Sequence, residues 1–102
     1  MPLDDFSYET PALKRLQIAR DRVAAGWVQH TGLQSRNGRT HYCASMAVLY
    51  QGHNAGLEEA IESLCRAIGV TALNHVPTWN DAPDRTQAEV VAAYDRAIGL
   101  TC

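Results

Sequence analysis

The segment Cys43-Ala44-Ser45-Met46-Ala47-Val48-Leu49-Tyr50 decides the fold. Apolar residues occur all round its helical wheel, and Ser45 is its one polar interruption. A helix that is hydrophobic on every side is a buried one. Its small residues, Ala44, Ser45 and Ala47, let neighbouring elements approach closely. The segment therefore reads as the central helix of a domain, and the rest of the chain must supply amphipathic partners for it.

The clearest partner follows directly. Gln51-Gly52-His53-Asn54 reads as a turn, with Asn54 as the N-cap of the next helix. Leu57, Ala60, Ile61, Leu64, Cys65 and Ile68 then repeat at i, i+3, i+4, i+7, i+8 and i+11, a full apolar stripe. Glu58 and Glu59 suit the positive end of the helix dipole, Arg66 the negative end, and Gly69 the position just past the last turn. Upstream, Thr10 and Pro11 announce an earlier helix as N-cap and first helical residue. Leu13, Leu16, Ala19, Val23 and Trp27 fall on one of its faces, with Ala12 and Ala24 at the edges, and Gly26 is placed to end it. Ile18 falls on the opposite, otherwise charged face, either exposed or part of a second contact. A final helix begins at Thr86, where Thr86-Gln87-Ala88-Glu89 is a capping box. Val90, Val91, Tyr94, Ala97 and Ile98 form its buried stripe, and Gly99 is expected to end it.

Two stretches have no helical period. From Trp27 to Tyr42, Asn37-Gly38 is flanked by short segments able to pair as a hairpin, although the Gly and polar content suits an irregular loop equally well. Val70 to Pro83 reads as a linker, about as long as a compact domain tolerates. The expected fold is mainly α. It is a compact bundle of about four helices with a buried second helix and room for a short hairpin after the first. One domain spans residues 1–102, and residues 1–9 are expected to be a flexible N-terminal segment.

With 102 residues, 46% hydrophobic and 20% charged, the chain can bury a modest core without disulfide staples. The net charge of −2 gives no bulk attraction to nucleic acid. The distribution is polarised: residues 14–39 are net +5, while residues 1–13 are net −3 and residues 54–102 net −4. Such halves can pair with each other, with a second copy or with a charged partner, or be a solvated surface. Cys43, Cys65 and Cys102 are an odd set without framework spacing, and Asp4 and Asp5 stand where a signal peptide carries basic residues. No run approaches the ~20 apolar residues that span a bilayer. These features lead us to expect a cytoplasmic protein without membrane association.

Chemistry is sparse. Cys43 with His41 or His75 and Asp81 would need a thiolate, a base and an orienting carboxylate in contact, and the spacing carries no such signature. The histidines and cysteines lack metal-ligand spacing, no Gly-rich loop follows a strand, and neither a metal nor a cofactor is expected. Arg36 and Arg39 around Asn37-Gly38 form a small basic tip. The densest group of special residues is Trp79-Asn80-Asp81-Ala82-Pro83-Asp84-Arg85. Asn80 and Asp81 suit backbone-capping turns, and Trp79 suits pinning a loop to a core. Alternatively Trp79, Asn80, Asp81 and Arg85, with His75 nearby, line a ligand or partner site, since functional residues favour loops on a rigid scaffold.

Trp27, the Cys43-Ala44-x-x-Ala47 helix opening and the segment Trp79-Asn80-Asp81-Ala82-Pro83-x-Arg85-Thr86 occur here in order. In that order they resemble an uncharacterised family of small helical proteins of bacteria, especially actinobacteria, and their phages. The resemblance spans residues 11–99, with Met46 and Asp84 standing where that family favours glycine. It implies the four-helix layout, singles out Trp79, Asn80 and Asp81, and assigns no activity. The expected function is a binding or regulatory module acting through protein contacts, with a partner or as a homodimer. The alternatives are a small-ligand binder or enzyme at the Trp79-Asn80-Asp81 loop, and a phage-type counter-defence protein; catalysis is the less expected of these.

Overall fold

The computed structural model describes residues 10–50 and 55–101. Its elements are α1 (Pro11–Ala25), β1 (Leu33–Arg36), β2 (Arg39–Tyr42), α2 (Ala44–Leu49), α3 (Leu57–Ile68), a 3-10 turn (Leu73–His75), α4 (Val76–Asn80) and α5 (Gln87–Thr101). The fold is mainly α with one two-stranded hairpin, as the sequence implies. The expected turn at residues 51–54, its cap Asn54 and the N-terminal segment lie outside the described residues.

α1 starts as its sequence dictates: Thr10 Oγ1 accepts a hydrogen bond from Leu13 N at 3.1 Å, and Pro11 occupies the first turn. It buries Ala12, Leu13, Leu16, Ala19 and Val23. α5 packs on it antiparallel: Gln87 Nε2 donates to Val23 O at 2.8 Å, and Arg20 pairs with Asp95 at 3.0 Å. On its other side α5 meets α3, where Thr101 Oγ1 lies 3.0 Å from Ser63 Oγ. α3 buries Ala60, Leu64 and Cys65 from its stripe and ends at Gly69 in the left-handed conformation. It begins at Gly56, whose φ is +73°. A Cβ there would sit 2.4 Å from Ala12 N, so only glycine lets the start of α3 lie against the start of α1.

The hairpin forms at Asn37-Gly38, with φ of 53° and 75°, the type I′ turn that this dipeptide favours. Its register pairs Leu33 with Tyr42 and Arg36 with Arg39. The chain after α1 adds to it through Tyr42 N to Gly26 O at 2.9 Å and Val28 N to Tyr42 O at 3.2 Å. Gly26 ends α1 in an extended conformation, and a Cβ there would meet Thr40 O at 3.0 Å.

α2 is the buried centre, with Ala44, Ser45, Ala47 and Val48 enclosed, while Cys43 is its N-cap and Tyr50 is exposed. The fully buried Tyr94 of α5 donates its hydroxyl to Ala44 O. The C-terminal carbonyls of α2 are capped by two arginines of α1. Arg15 Nη1 donates to Val48 O at 2.8 Å, and Arg22 donates to Ala47 O at 3.3 Å and to Tyr50 O. Arg15 is only 2% exposed. Cations at a helix C-terminus meet the negative end of its dipole, so part of the basic stretch 14–39 is spent inside the fold.

Two boundaries correct the sequence reading. Val70 to Pro83 is not a plain linker: it holds the 3-10 turn and α4, a short helix beside the four read from the sequence. α4 is too short to show a helical period, and the buried Val76 and Asn80 fix it by packing. Gly99 does not end α5, which continues to Thr101, whose Oγ1 lies 3.0 Å from Ala97 O. Ile18 is 40% exposed. Among the described residues no helix is long and apolar enough to cross a membrane.

Candidate functional site

α4 carries Trp79 and Asn80 at its last two positions, with Asp81 as its C-cap. Asn80 is fully buried, and both ends of its amide are used twice. Its Oδ1 accepts from the Trp27 indole at 2.7 Å and from Ala44 N at 3.0 Å. Its Nδ2 donates to Val28 O at 3.1 Å and to Asp81 Oδ1 at 3.0 Å. One side chain thus joins α4, the segment after α1 and the first turn of α2. The Ala44 bond matters because the first N–H groups of a helix have no partner within it.

Asp81 points into this junction. Its Oδ1 also accepts from His30 N at 2.8 Å, holding His30 at a φ of 68°, an uncommon conformation for a non-glycine residue. Burial pushes the Asp81 carboxyl up, but the His30 and Asn80 hydrogen bonds and the His30 ring outweigh it and hold the group below the usual range. Gln29 Nε2 completes the brace by donating to Asn80 O at 3.0 Å and Ala82 O at 2.9 Å. Arg85 donates from Nε to Trp79 O at 2.9 Å and stacks its guanidinium 4.0 Å from the Trp79 ring centroid. The capping box of α5 follows, with Thr86 N to Glu89 Oε1 at 2.9 Å and Glu89 N to Thr86 Oγ1 at 3.2 Å.

The structure therefore joins Trp79, Asn80, Asp81 and Arg85 in one unit whose polar atoms largely face inward. His75 is exposed and lies with Trp79 in a different setting, a recess of about 400 Å³ lined also by Gly69, Val70, Thr71 and Thr78. Sequence reasoning singled out Trp27 but not its bond to Asn80, and it missed Gln29 and His30, which lie some fifty positions upstream of their partners and carry no local signal. Arg15 could have been found, because it lies on the Ala12–Ala19 line of the buried face.

A family model matches residues 7–100. The chain belongs to DUF6197, a family of unknown function. No curated protein and no solved structure matches it.

Elsewhere in this DUF6197 chain the chemistry-bearing groups stand apart. Cys43 Sγ accepts from Met46 N at 3.4 Å and lies 3.2 Å from Ser45 Oγ. Among the described residues no hydrogen bond joins it to His41, His75 or Asp81. Cys43 and Cys65 are free and buried, and burial pushes the Cys65 thiol up. Among the described residues no group of three or more His, Cys, Asp and Glu side chains is placed to hold a metal ion.

The second surface feature of the DUF6197 fold is a groove of about 540 Å³ along α3. Ile61, Cys65 and Val70 give it an apolar floor, and Glu58, Glu62 and Arg66 stand on its rim. Val70 and Thr71 line this groove and the Trp79–His75 recess alike, so the two adjoin.

Proposed function

We propose that this domain is a binding module that acts by protein–protein contacts and is not an enzyme. Its contact surface is the groove along α3 together with the recess at Trp79 and His75. One observation carries this reading: two depressions adjoin at Val70 and Thr71, which line both, and the larger has Ile61 and Cys65 in its lining. An apolar channel with a polar rim is the form that protein-recognition grooves take.

In this reading Trp79 and His75 touch the partner. Arg85 holds the Trp79 ring by stacking, and Asn80 and Asp81 anchor α4 from behind. The free, buried thiols of Cys43 and Cys65 support a reducing, cytoplasmic setting. A counter-defence role against a host enzyme of a bacterium or its phage is one special form of such a contact.

The test is site-specific photo-crosslinking in cells from exposed Thr71 and Thr78, with exposed Ala92 on α5 as the control position. The reading predicts a discrete protein adduct from both groove positions and none from Ala92. Equal labelling at all three positions, or no protein adduct, contradicts it. A small ligand in the Trp79 recess is the second reading, favoured by the Thr71, His75 and Thr78 side chains that line it with Trp79. It predicts a metabolite-sized adduct at Thr78 alone.

A further inference from the structure

The tip of the hairpin carries a reactive pair. Asn37 and Gly38 are both exposed, at φ of 53° and 75°. Among the described residues the Asn37 side chain makes no hydrogen bond, so its amide stands in solvent. Gly38 has no Cβ, and one built there would meet nothing within 4 Å, so the side of Gly38 where a side chain would stand is open. Arg36 and Arg39 flank the pair and bond only to neutral groups, Gln34 Oε1 at 2.6 Å and Ala25 O at 3.2 Å. Asn74 and Asn80 differ. Asn80 is fully buried with both ends of its amide engaged, and Asn74 sits inside the 3-10 turn with the bulky His75 after it.

We infer that Asn37 is a self-modification site, where the side chain condenses with the Gly38 backbone nitrogen whenever the hairpin tip opens and leaves a carboxylate between Arg36 and Arg39. The Gly38 nitrogen gives its proton to a solvent base and attacks Asn37 Cγ. A C–N bond forms, the Cγ–Nδ2 bond breaks, and ammonia leaves with a proton from solvent. The product is a five-membered succinimide. Water then adds to one of its two carbonyls and opens the ring. Opening at the side-chain carbonyl gives Asp, and opening at the main-chain carbonyl gives isoaspartate, in which the chain continues through Cβ. Nothing is oxidised or reduced, and water is the one co-reactant. Glycine suits the second position because it puts no Cβ in the way of its own nitrogen. The inference is independent of the protein-contact reading, since neither depression includes Asn37 or Gly38.

The folded turn is a gate on this reaction. Closing the ring needs the Gly38 nitrogen to eclipse the Asn37 Cβ about the Cα–C bond. A type I′ turn sets ψ of its first central residue at about +30°, which holds that nitrogen nearly opposite Cβ. Ring closure therefore waits for the tip to open, which exposed loop tips do at low free-energy cost. The two products act differently on the hairpin. Asp-Gly favours the same turn, so the Asp product keeps the hairpin and lowers the charge of its tip by one. Isoaspartate adds a backbone methylene to a two-residue loop, which the Arg36–Arg39 pairing cannot absorb. The damage stays at the tip, because the base of the hairpin is held by Tyr42 N to Gly26 O and Cys43 N to Gly32 O, both at 2.9 Å.

The test compares the full chain with a synthetic peptide of residues 33–42, both in heavy-oxygen water at mildly alkaline pH, by mass spectrometry with backbone fragmentation. An isolated two-stranded hairpin is marginal in water, so the peptide gives the ungated rate. The full chain should take up one solvent oxygen at Asn37, as a mixture of Asp and isoaspartate, about 5- to 100-fold more slowly than the peptide. Asn37→Gly keeps a turn-forming Gly-Gly pair and should abolish the uptake. Less than half conversion at Asn37 after about a hundred peptide half-lives overturns the site, and so does uptake at Asn74 as fast as at Asn37. A ratio below about five-fold overturns the gate. In the purified isoaspartate product the amide signals of Arg39 and Thr40 should move while that of Tyr42 stays. Movement at Tyr42 as large as at Arg39 overturns the confinement to the tip.

Discussion

Replacing Asn80 by Ala should be among the most damaging single changes in this domain, although Asn80 touches no candidate partner. The substitution removes four hydrogen bonds at once, to Trp27, Ala44, Val28 and Asp81. The half-buried Trp27 indole can recover water at modest cost. Ala44 N–H and Val28 C=O cannot, because both residues are buried. Each orphaned buried group costs about 1–3 kcal/mol, and the small void adds to this, for a total of about 3–5 kcal/mol. Set against a total stability of about 5–15 kcal/mol, that is a large loss. In a domain of this size it lowers Tm by about 15–30 °C. Thermal and urea unfolding followed by far-UV circular dichroism measure it. Asn80→Asp is the informative control. It keeps oxygen acceptors for Trp27 and Ala44 but turns a carboxylate toward Val28 O and Asp81 Oδ1. Burial and the Asp81 charge raise the pKa of the new carboxyl in the folded state, so this variant should regain stability as pH falls and the carboxyl becomes a donor. A loss below about 1 kcal/mol for Asn80→Ala would refute the brace, since even one orphaned buried group costs that much.

Further predictions follow from the same geometry. Arg15→Met should cost about 1.5–3 kcal/mol in urea unfolding, the worth of a hydrogen bond to a charged group, because Val48 O at the end of α2 loses its donor; an unchanged midpoint would contradict the capping role. Gly56→Ala should cost at least about 2 kcal/mol, from positive-φ strain and the clash with the backbone at Ala12, and a neutral effect would mean that α3 can shift away from α1. Asp81→Ala should lower stability at neutral pH rather than spare it. The folded Asp81 carboxyl lies below its ordinary value. Its contribution is therefore full above about pH 3.9 and is lost as pH falls through the folded pKa. The gap between wild type and Asp81→Ala should close on acidification, and a gap independent of pH would contradict the inward orientation.

What could be read in advance was what has a local cause. The α3 stripe, the Thr10 cap, the Asn37-Gly38 turn and the Thr86–Glu89 capping box each depend on residues a few positions apart, and each appears as expected. α4 escaped because five residues give no period and because Val76 and Asn80 are held by distant packing. Gly99 was expected to stop α5, but it meets no steric or conformational demand in the helix, and α5 runs on. The Trp79-Asn80-Asp81 segment stood out by composition, yet its bonds run to Trp27, Val28, His30 and Ala44, which only the tertiary fold brings near. The α3 groove was invisible because Ile61 and Cys65 belong to the same stripe as the core residues, and only the path of Val70 to Ala72 leaves them beside an open channel.

The central claim is that Asn80 locks the Trp79 segment to the first turn of α2. Amide hydrogen exchange at Ala44 tests it most directly. Ala44 N–H is at the start of α2, where no helical acceptor exists, and its partner is the Asn80 side chain at 3.0 Å. The account predicts exchange as slow as that of Val48 in the core, falling to the fast rate of a free helix start in Asn80→Ala. Fast exchange at Ala44 in the wild-type protein would contradict it.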